Sequence, residues 1–379
     1  MQLNFRLPLT VLSGLSLLLG VLDASAGVAY LTLLAQHQLS TLSLAQASLW
    51  GTAAALPLLW WGARHAARGG RAFPLAVPGL IVTLLAFLLF RAPSGALLLV
   101  TVALLATVAP QLEANISARV AVLEKSGRAL QGQVHAAFAL GAIVGALMTG
   151  FAVEHQFLPV VAFIVSGGAL VCSLLGCTLK SPARGVTPQA RIPRTPRATV
   201  ALLVVTAVGA YFVESLVEAW GAWRLVERFA LSAAQAGVAL GGYYAVFALG
   251  ALGSAWLLRT FSPQVLLRTL AVVAAGGALL FVCSSSVWLS VLGLWSLGFG
   301  AAGLFPTLLT WTARLGMGAG ATLLATMCAY AGKLLEPLSV SLLGVQGALV
   351  LVPAVLLLVG ALTVRFPLIH PVVAPAAGD

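Results

Sequence analysis

Long apolar blocks alternate with short polar joints along the whole chain. Twelve blocks are distinguishable, at about 8–36, 42–66, 72–91, 94–118, 129–153 and 157–179, then 198–226, 233–259, 264–284, 287–313, 316–343 and 346–366. Each is near or above the roughly 20 residues with which a helix crosses a bilayer. The joints carry Pro, Gly or Arg, as at Pro93-Ser94-Gly95 and Ser262-Pro263, residue types that stop helices and turn the chain. The pattern predicts an all-α integral membrane protein with twelve transmembrane helices in two six-helix halves.

One joint differs from the rest. Residues 180–197 hold five cations (Lys180, Arg184, Arg191, Arg194, Arg197), four prolines and no acid. Four prolines in so short a span leave no room for a helix. The stretch is therefore read as a linker between an N-terminal half, 1–179, and a C-terminal half, 198–379. With the N-terminus placed in the cytoplasm, sixteen cations fall in cytoplasmic segments and three (Arg91, Arg224, Arg228) on the other side, while Lys333 lies inside a helix. Positive charge is retained on the cytoplasmic side, so both termini and the linker are expected there. The first block is read as a retained helix, not a cleaved leader.

Composition agrees with the pattern. Hydrophobic residues make up 61% and charged residues 8% of 379 residues, against about 25% charged in soluble domains. Mean hydropathy is +1.06. The net charge of +11 resides in joints between apolar blocks, so nucleic acid is not expected as a partner. Cys172, Cys177, Cys283 and Cys328 all fall within apolar blocks without metal-ligand spacing and read as small core residues. The sequence contains no Walker loop, metal-spaced His/Cys set or nucleophile elbow. An enzyme, a metal site and a cofactor are accordingly not expected.

Several motifs carry a resemblance. The joint after the second block holds Gly62, Ala66, Gly69, Gly70 and Arg71. Further on, Arg128, His135, Phe138, Gly141 and Gly145 give R-x6-H-x2-F-x2-G-x3-G, preceded by Asn115, Glu124 and Gly127. The seventh block carries Phe212, Glu214, Trp220 and Leu225, and the eleventh reads Tyr330-Ala-Gly332-Lys333-Leu-Leu-Glu336-Pro337. In this order the motifs resemble the major facilitator superfamily, and within it the fucose-permease-like branch. The first joint departs from the superfamily signature, with Ala66 at its Asp and Gly70 at an Arg. Ala219 stands where the branch has an Asp, with Glu218 one residue earlier. The resemblance implies alternating access around a cavity lined by helices one, four, seven and ten. It also implies gating roles for Gly62, Gly69, Arg71, Arg128 and His135, and a sugar-like or other small polar solute. Gly141 and Gly145, one turn apart, are expected to let another helix approach closely.

Five of the nine acids fall inside blocks: Asp23, Glu113, Glu214, Glu218 and Glu336. An ionised group at the bilayer centre costs about 2.5–3.5 kcal/mol on insertion scales, so each needs a partner, a proton or a water-filled cavity. Glu214 and Glu218 share one helical face, and two carboxylates so placed do not both ionise readily. Glu214, Glu218 and Asp23 are therefore the candidates for proton coupling, the alternative for Glu218 being a pairing with Arg224. Asn115, Glu113, Trp220, Lys333 and Glu336 are the candidates for solute binding. Glu113 is alternatively paired with an arginine. Lys333 pairs with Glu336 three residues on, reaches an acid of the other half, or meets an anionic group of the solute. The reading is a monomeric, proton-coupled secondary active transporter of a small molecule in a bacterial inner membrane. Proton-antiport efflux, a facilitative uniporter and a receptor or scaffold are the alternatives.

Topology can be tested directly. Single cysteines in 180–197 or at Arg68 are expected to react with an impermeant thiol reagent only from the cytoplasmic side, and those near His37 or His155 only from outside. Labelling of the linker in intact cells would overturn the arrangement.

Overall fold

The computed structural model describes residues 6–67, 75–124, 130–177, 197–314 and 318–365. They form α1 (Arg6–Gln36), α2 (Thr41–Ala67), α3 (Ala76–Arg91), α4 (Gly95–Glu124), α5 (Gln131–Glu154), α6 (Leu158–Cys177), α7 (Arg197–Phe229), α8 (Ala233–Leu257), α9 (Pro263–Cys283), α10 (Val287–Arg314) and α11 (Gly318–Leu362), then a 3-10 turn at Thr363–Arg365. No strand occurs among the described residues. The expected linker, apart from Arg197 at the start of α7, lies outside them, as do Gly69, Arg71 and Arg128.

Most helices begin and end within a few residues of the apolar blocks, because turn chemistry marks their ends. Ser262 caps α9, its hydroxyl accepting from Val265 N, with Pro263 in the first turn. Ser232 and Gln235 form a reciprocal capping box at the start of α8. Two departures stand out. Helix α4 continues past the apolar block through the polar residues to Glu124. The last two blocks join in the 45-residue α11. A straight helix of that length would span about 67 Å, more than twice the hydrocarbon core. Gly344 breaks it with φ 70° and ψ 171°, a conformation essentially restricted to glycine. The two arms, 318–343 and 345–362, are thus two crossings, and the chain crosses the membrane twelve times.

The helices pack in two groups. In the first, α1 lies on α5 and α6, α2 on α4, and α3 on α4 and α6; in the second, α7 lies on α11 and α10, α8 on α10, and α9 on α10 and α11. The groups meet along α5–α8, α2–α11 and α1–α7. Lipid tails are as apolar as leucine, so helices associate through close packing instead of hydrophobic contrast. The α1–α5 seam shows this: Gly141 lies against the Leu17 carbonyl, Gly145 against the Val21 carbonyl and Gly20 against the Phe138 carbonyl, each too close for a Cβ. On its other side α5 meets α8, with Gly237 against the Ala146 carbonyl and Gly150 against Ala233. Large apolar side chains such as Trp50, Phe163, Leu249 and Trp288 face outward, as lipid contact requires.

Two glycine substitutions separate packing from helix propensity. Gly141→Ala is expected to destabilise the protein by about 2 kcal/mol or more, since backbone, not a flexible side chain, blocks the added methyl. Gly276→Ala in α9, where a Cβ meets nothing within 4 Å, is expected to be neutral or to stabilise by up to about 1 kcal/mol. Thermal midpoints of the two purified variants decide; similar midpoints would refute the tight seam.

Candidate functional site

Between the two groups lies a cavity enclosing about 1020 Å³ of space, part of it open to solvent. Its wall draws on both groups: α1 gives Leu19, Leu22, Asp23, Gly27 and Tyr30, and α4 gives Ala106, Ala109, Pro110 and Glu113. Across from them stand Ser215, Glu218 and Ala219 of α7 and Lys333 and Glu336 of α11, with Ser48 and Thr52 of α2 and Phe138 of α5 completing the polar and aromatic lining. Helical spacing explains these sets. Asp23, Gly27 and Tyr30 fall at i, i+4 and i+7, one face of α1, and Ala106, Pro110 and Glu113 do the same on α4. Pro110 has no N–H to give the Ala106 carbonyl, so the α4 ladder is interrupted in the wall. Helix ten, expected to line the cavity, contributes no lining residue among the described ones; α11 takes that place with its two charged side chains.

The charges are paired across the two groups. Lys333 Nζ lies 3.4 Å from Glu113 Oε2, with the two side chains 24% and 32% exposed. Lys333 therefore does not close on Glu336, and Glu113 is held by a lysine instead of an arginine. Beside this pair the Tyr330 hydroxyl donates to the Pro110 carbonyl at 3.2 Å, another link from α11 to α4. Glu336 instead accepts from the indole Nε1 of Trp220 at 2.6 Å. Trp220 is buried and its ring rests on Tyr30, with centroids 6.3 Å apart. It positions Glu336 and is not one of the residues lining the cavity. Arg224 donates to the carbonyls of Phe281 and Val282 and to the Gln346 side chain. It is thus not the partner of Glu218, which is buried in the wall with Oε1 lacking a hydrogen-bond partner.

The remaining sequence candidates are divided between the cavity and its surroundings. Asp23 is exposed in the wall, consistent with an acid facing a cavity. Glu214 is half-buried and lies one turn along α7 from Glu218, outside the lining. Asn115 also lies off the cavity, its amide donating to the Gln111 carbonyl at 2.7 Å in its own helix. Two positions from Glu113, it turns to a different face. His135 is half-buried in the first turns of α5, and Gly62 lies in the last turns of α2. Tyr30, Ser215, Phe138 and Tyr330 were not singled out as site residues from the sequence. Phe138 and Tyr330 stood in the motifs, and Tyr30 is marked by its i+7 spacing from Asp23.

The two groups also touch outside the charged pair. The Ser232 hydroxyl donates to Glu154 Oε2 at 3.0 Å across α5 and α8, and Gly150 packs on Ala233. Gly27 of α1 lies against the Glu218 carbonyl of α7. The first two contacts lie at the C-terminal end of α5 and the N-terminal end of α8, the third in the cavity wall.

Four carboxyl groups and one ammonium in the described wall make an asymmetric prediction. Lys333→Gln leaves Asp23, Glu113, Glu218 and Glu336 without a cation, whereas Glu113→Gln leaves Lys333 other acids to face. Lys333→Gln is expected to cost on the order of 2–3 kcal/mol of stability and Glu113→Gln roughly 1 kcal/mol or less. Thermal unfolding of both variants tests this; equal losses would mean that the pair stands alone.

No protein-family profile matches the sequence. No curated protein matches it either. Solved structures do. A bacterial homologue of the human lysosomal transporter Spinster, in an inward-facing and occupied conformation, superposes with a TM-score of 0.71 at 16% identity, covering 94% of this chain and 95% of that one. A point mutant of the nucleoside transporter NupG gives a TM-score of 0.68 at 15% identity over 96% of this chain and 100% of that one. The same Spinster homologue in its inward-facing, unoccupied conformation gives 0.66 at 16% identity over 94% and 96%. Twelve crossings in two groups around a central cavity, superposed over nearly the whole chain, give this protein the major facilitator fold.

Proposed function

We propose that the protein is a proton-coupled secondary active transporter that moves a small organic solute by alternating access. The observation that carries this reading is the cavity between two helical groups, with charged residues of both groups in its wall. A solute bound there touches both halves at once, so rocking one against the other exposes it first to one side and then to the other. The structural neighbours that share this fold are transporters, which supports the reading. The charge bias supports cytoplasmic termini, and a bacterial inner membrane is the proposed location. The Ser232–Glu154 contact of α5 and α8 then lies toward the outer side, which suits an inward-open conformation. The fucose-permease-like motifs agree with a polar organic solute.

Lys333 and Glu113 tie α11 to α4, and their separation accompanies the change of state. Proton coupling is assigned to the carboxyl cluster. Asp23 and Glu218 stand in the wall, and Glu214 lies one turn away on α7, where it exchanges a proton without touching solute.

A thermal-shift screen of the purified protein against a metabolite library supplies the solute, since a ligand of the native state raises its midpoint. In proteoliposomes that solute is expected to accumulate under a pH gradient and to leak away when a protonophore is added. Glu214→Gln is expected to abolish accumulation while retaining most solute exchange at zero gradient. Equilibration without accumulation in the unmodified protein would identify a uniporter, and binding without any flux would refute transport.

A further inference from the structure

We infer that the cavity takes a cationic amine, its ammonium seated between Asp23 of α1 and Glu218 of α7. The inference rests on the cavity being the solute site, as proposed above, and adds the chemical class. The described wall carries four carboxyl groups against one ammonium. Two of the four are committed: Glu113 to Lys333 at 3.4 Å, and Glu336 to the Trp220 indole at 2.6 Å. Asp23 and Glu218 remain.

The second of these is the telling one. Glu218 is one of the lining residues but only 6% exposed, and its buried Oε1 has no hydrogen-bond partner among the described residues. Most buried polar atoms are hydrogen-bonded, and a buried acid without a partner is costly. Asp23 stands close by on the opposite group. One turn after it, Gly27 packs directly on the Glu218 backbone carbonyl, so the two acids flank the α1–α7 contact. Tyr30, one further turn along the same face, also lines the cavity and offers a ring to a cation.

The occupant is organic. Among the described residues no three His, Cys, Asp or Glu side chains converge as metal ligands. Around the acids the wall is apolar, with Leu19, Leu22, Phe138 and Ala219. An anion would meet Lys333 alone, already engaged by Glu113, and three further carboxyl groups. An amine with an apolar body satisfies both features, since its N–H donors make charge-assisted hydrogen bonds to the carboxylates.

Three probes of similar size test this on the purified full chain: phenethylamine, phenethyl alcohol and 3-phenylpropionate, by calorimetric titration. Phenethylamine is expected to bind at least about tenfold more tightly than the alcohol, and the carboxylate weakest of all. Glu218→Gln and Asp23→Asn are each expected to weaken the amine about tenfold and the alcohol by a smaller factor. Equal affinity for amine and alcohol, preference for the carboxylate, no binding of the amine, or unchanged amine affinity in Glu218→Gln would each overturn the inference. Should the variants fail to fold, the ranking of the three probes on the unmodified chain decides. Proteoliposome flux separates the two readings. An amine that binds selectively but is never carried refutes transport and leaves the site standing. A neutral or anionic solute carried equally well by Glu218→Gln refutes the site and leaves transport intact.

Discussion

Carboxyl groups inside a low-dielectric bundle are the constraint on which the centre of this molecule depends. Four of them line the described cavity, where one lysine faces them. None could stand in bare hydrocarbon at modest cost, so the bundle has to supply a cation, a donor or water to each. Lys333 serves Glu113 from the opposite group, the Trp220 indole serves Glu336, and the cavity admits solvent to Asp23. Satisfying charge thus joins the two groups at the very place where they part to form the cavity.

Close packing does the complementary work. Glycines on α1, α5 and α8 bring backbones together with no side chain between them, so α5 sits tightly between one helix of its own group and one of the other. In lipid such contact is the main source of cohesion, because burying apolar surface from lipid gains little. The α5–α8 seam is glycine-packed, and polar and charged side chains stand around the cavity. Close packing beside charge is the combination that the proposed rocking mechanism needs. A seam without large interlocking side chains can separate and re-form, and the charged pairs can exchange partners as it does.

Assigning amines to the cavity follows from counting commitments, not charges. The sequence shows five acids within apolar blocks. Four of them line the described cavity, and two of those four lack a partner there. Asp23 and Glu218 differ in character: one is open to the cavity, the other buried in the wall with an unpaired oxygen. An ammonium between them would neutralise the open acid and supply the donor that the buried one lacks. Glu214, a turn away and outside the lining, would on this proposal respond to such a change electrostatically.

The sequence by itself determined the class, the number of crossings and the approximate helix ends. Those follow from local chemistry: runs of apolar residues long enough for a bilayer, and Pro, Gly and Ser at the joints. It also indicated where a helix would approach α5, since Gly141 and Gly145 lie one turn apart. What it could not decide is which side chains meet, because partners here are separated by more than a hundred residues. Lys333 and Glu336 are neighbours on one helical face, yet Lys333 goes to Glu113 and Glu336 to Trp220. Asn115 and Glu113 are two residues apart, and only Glu113 faces the cavity. Helical rotation decides each of these outcomes. A turn of about 100° per residue sends adjacent positions to different neighbours, and only the packing of all twelve crossings settles which face looks inward.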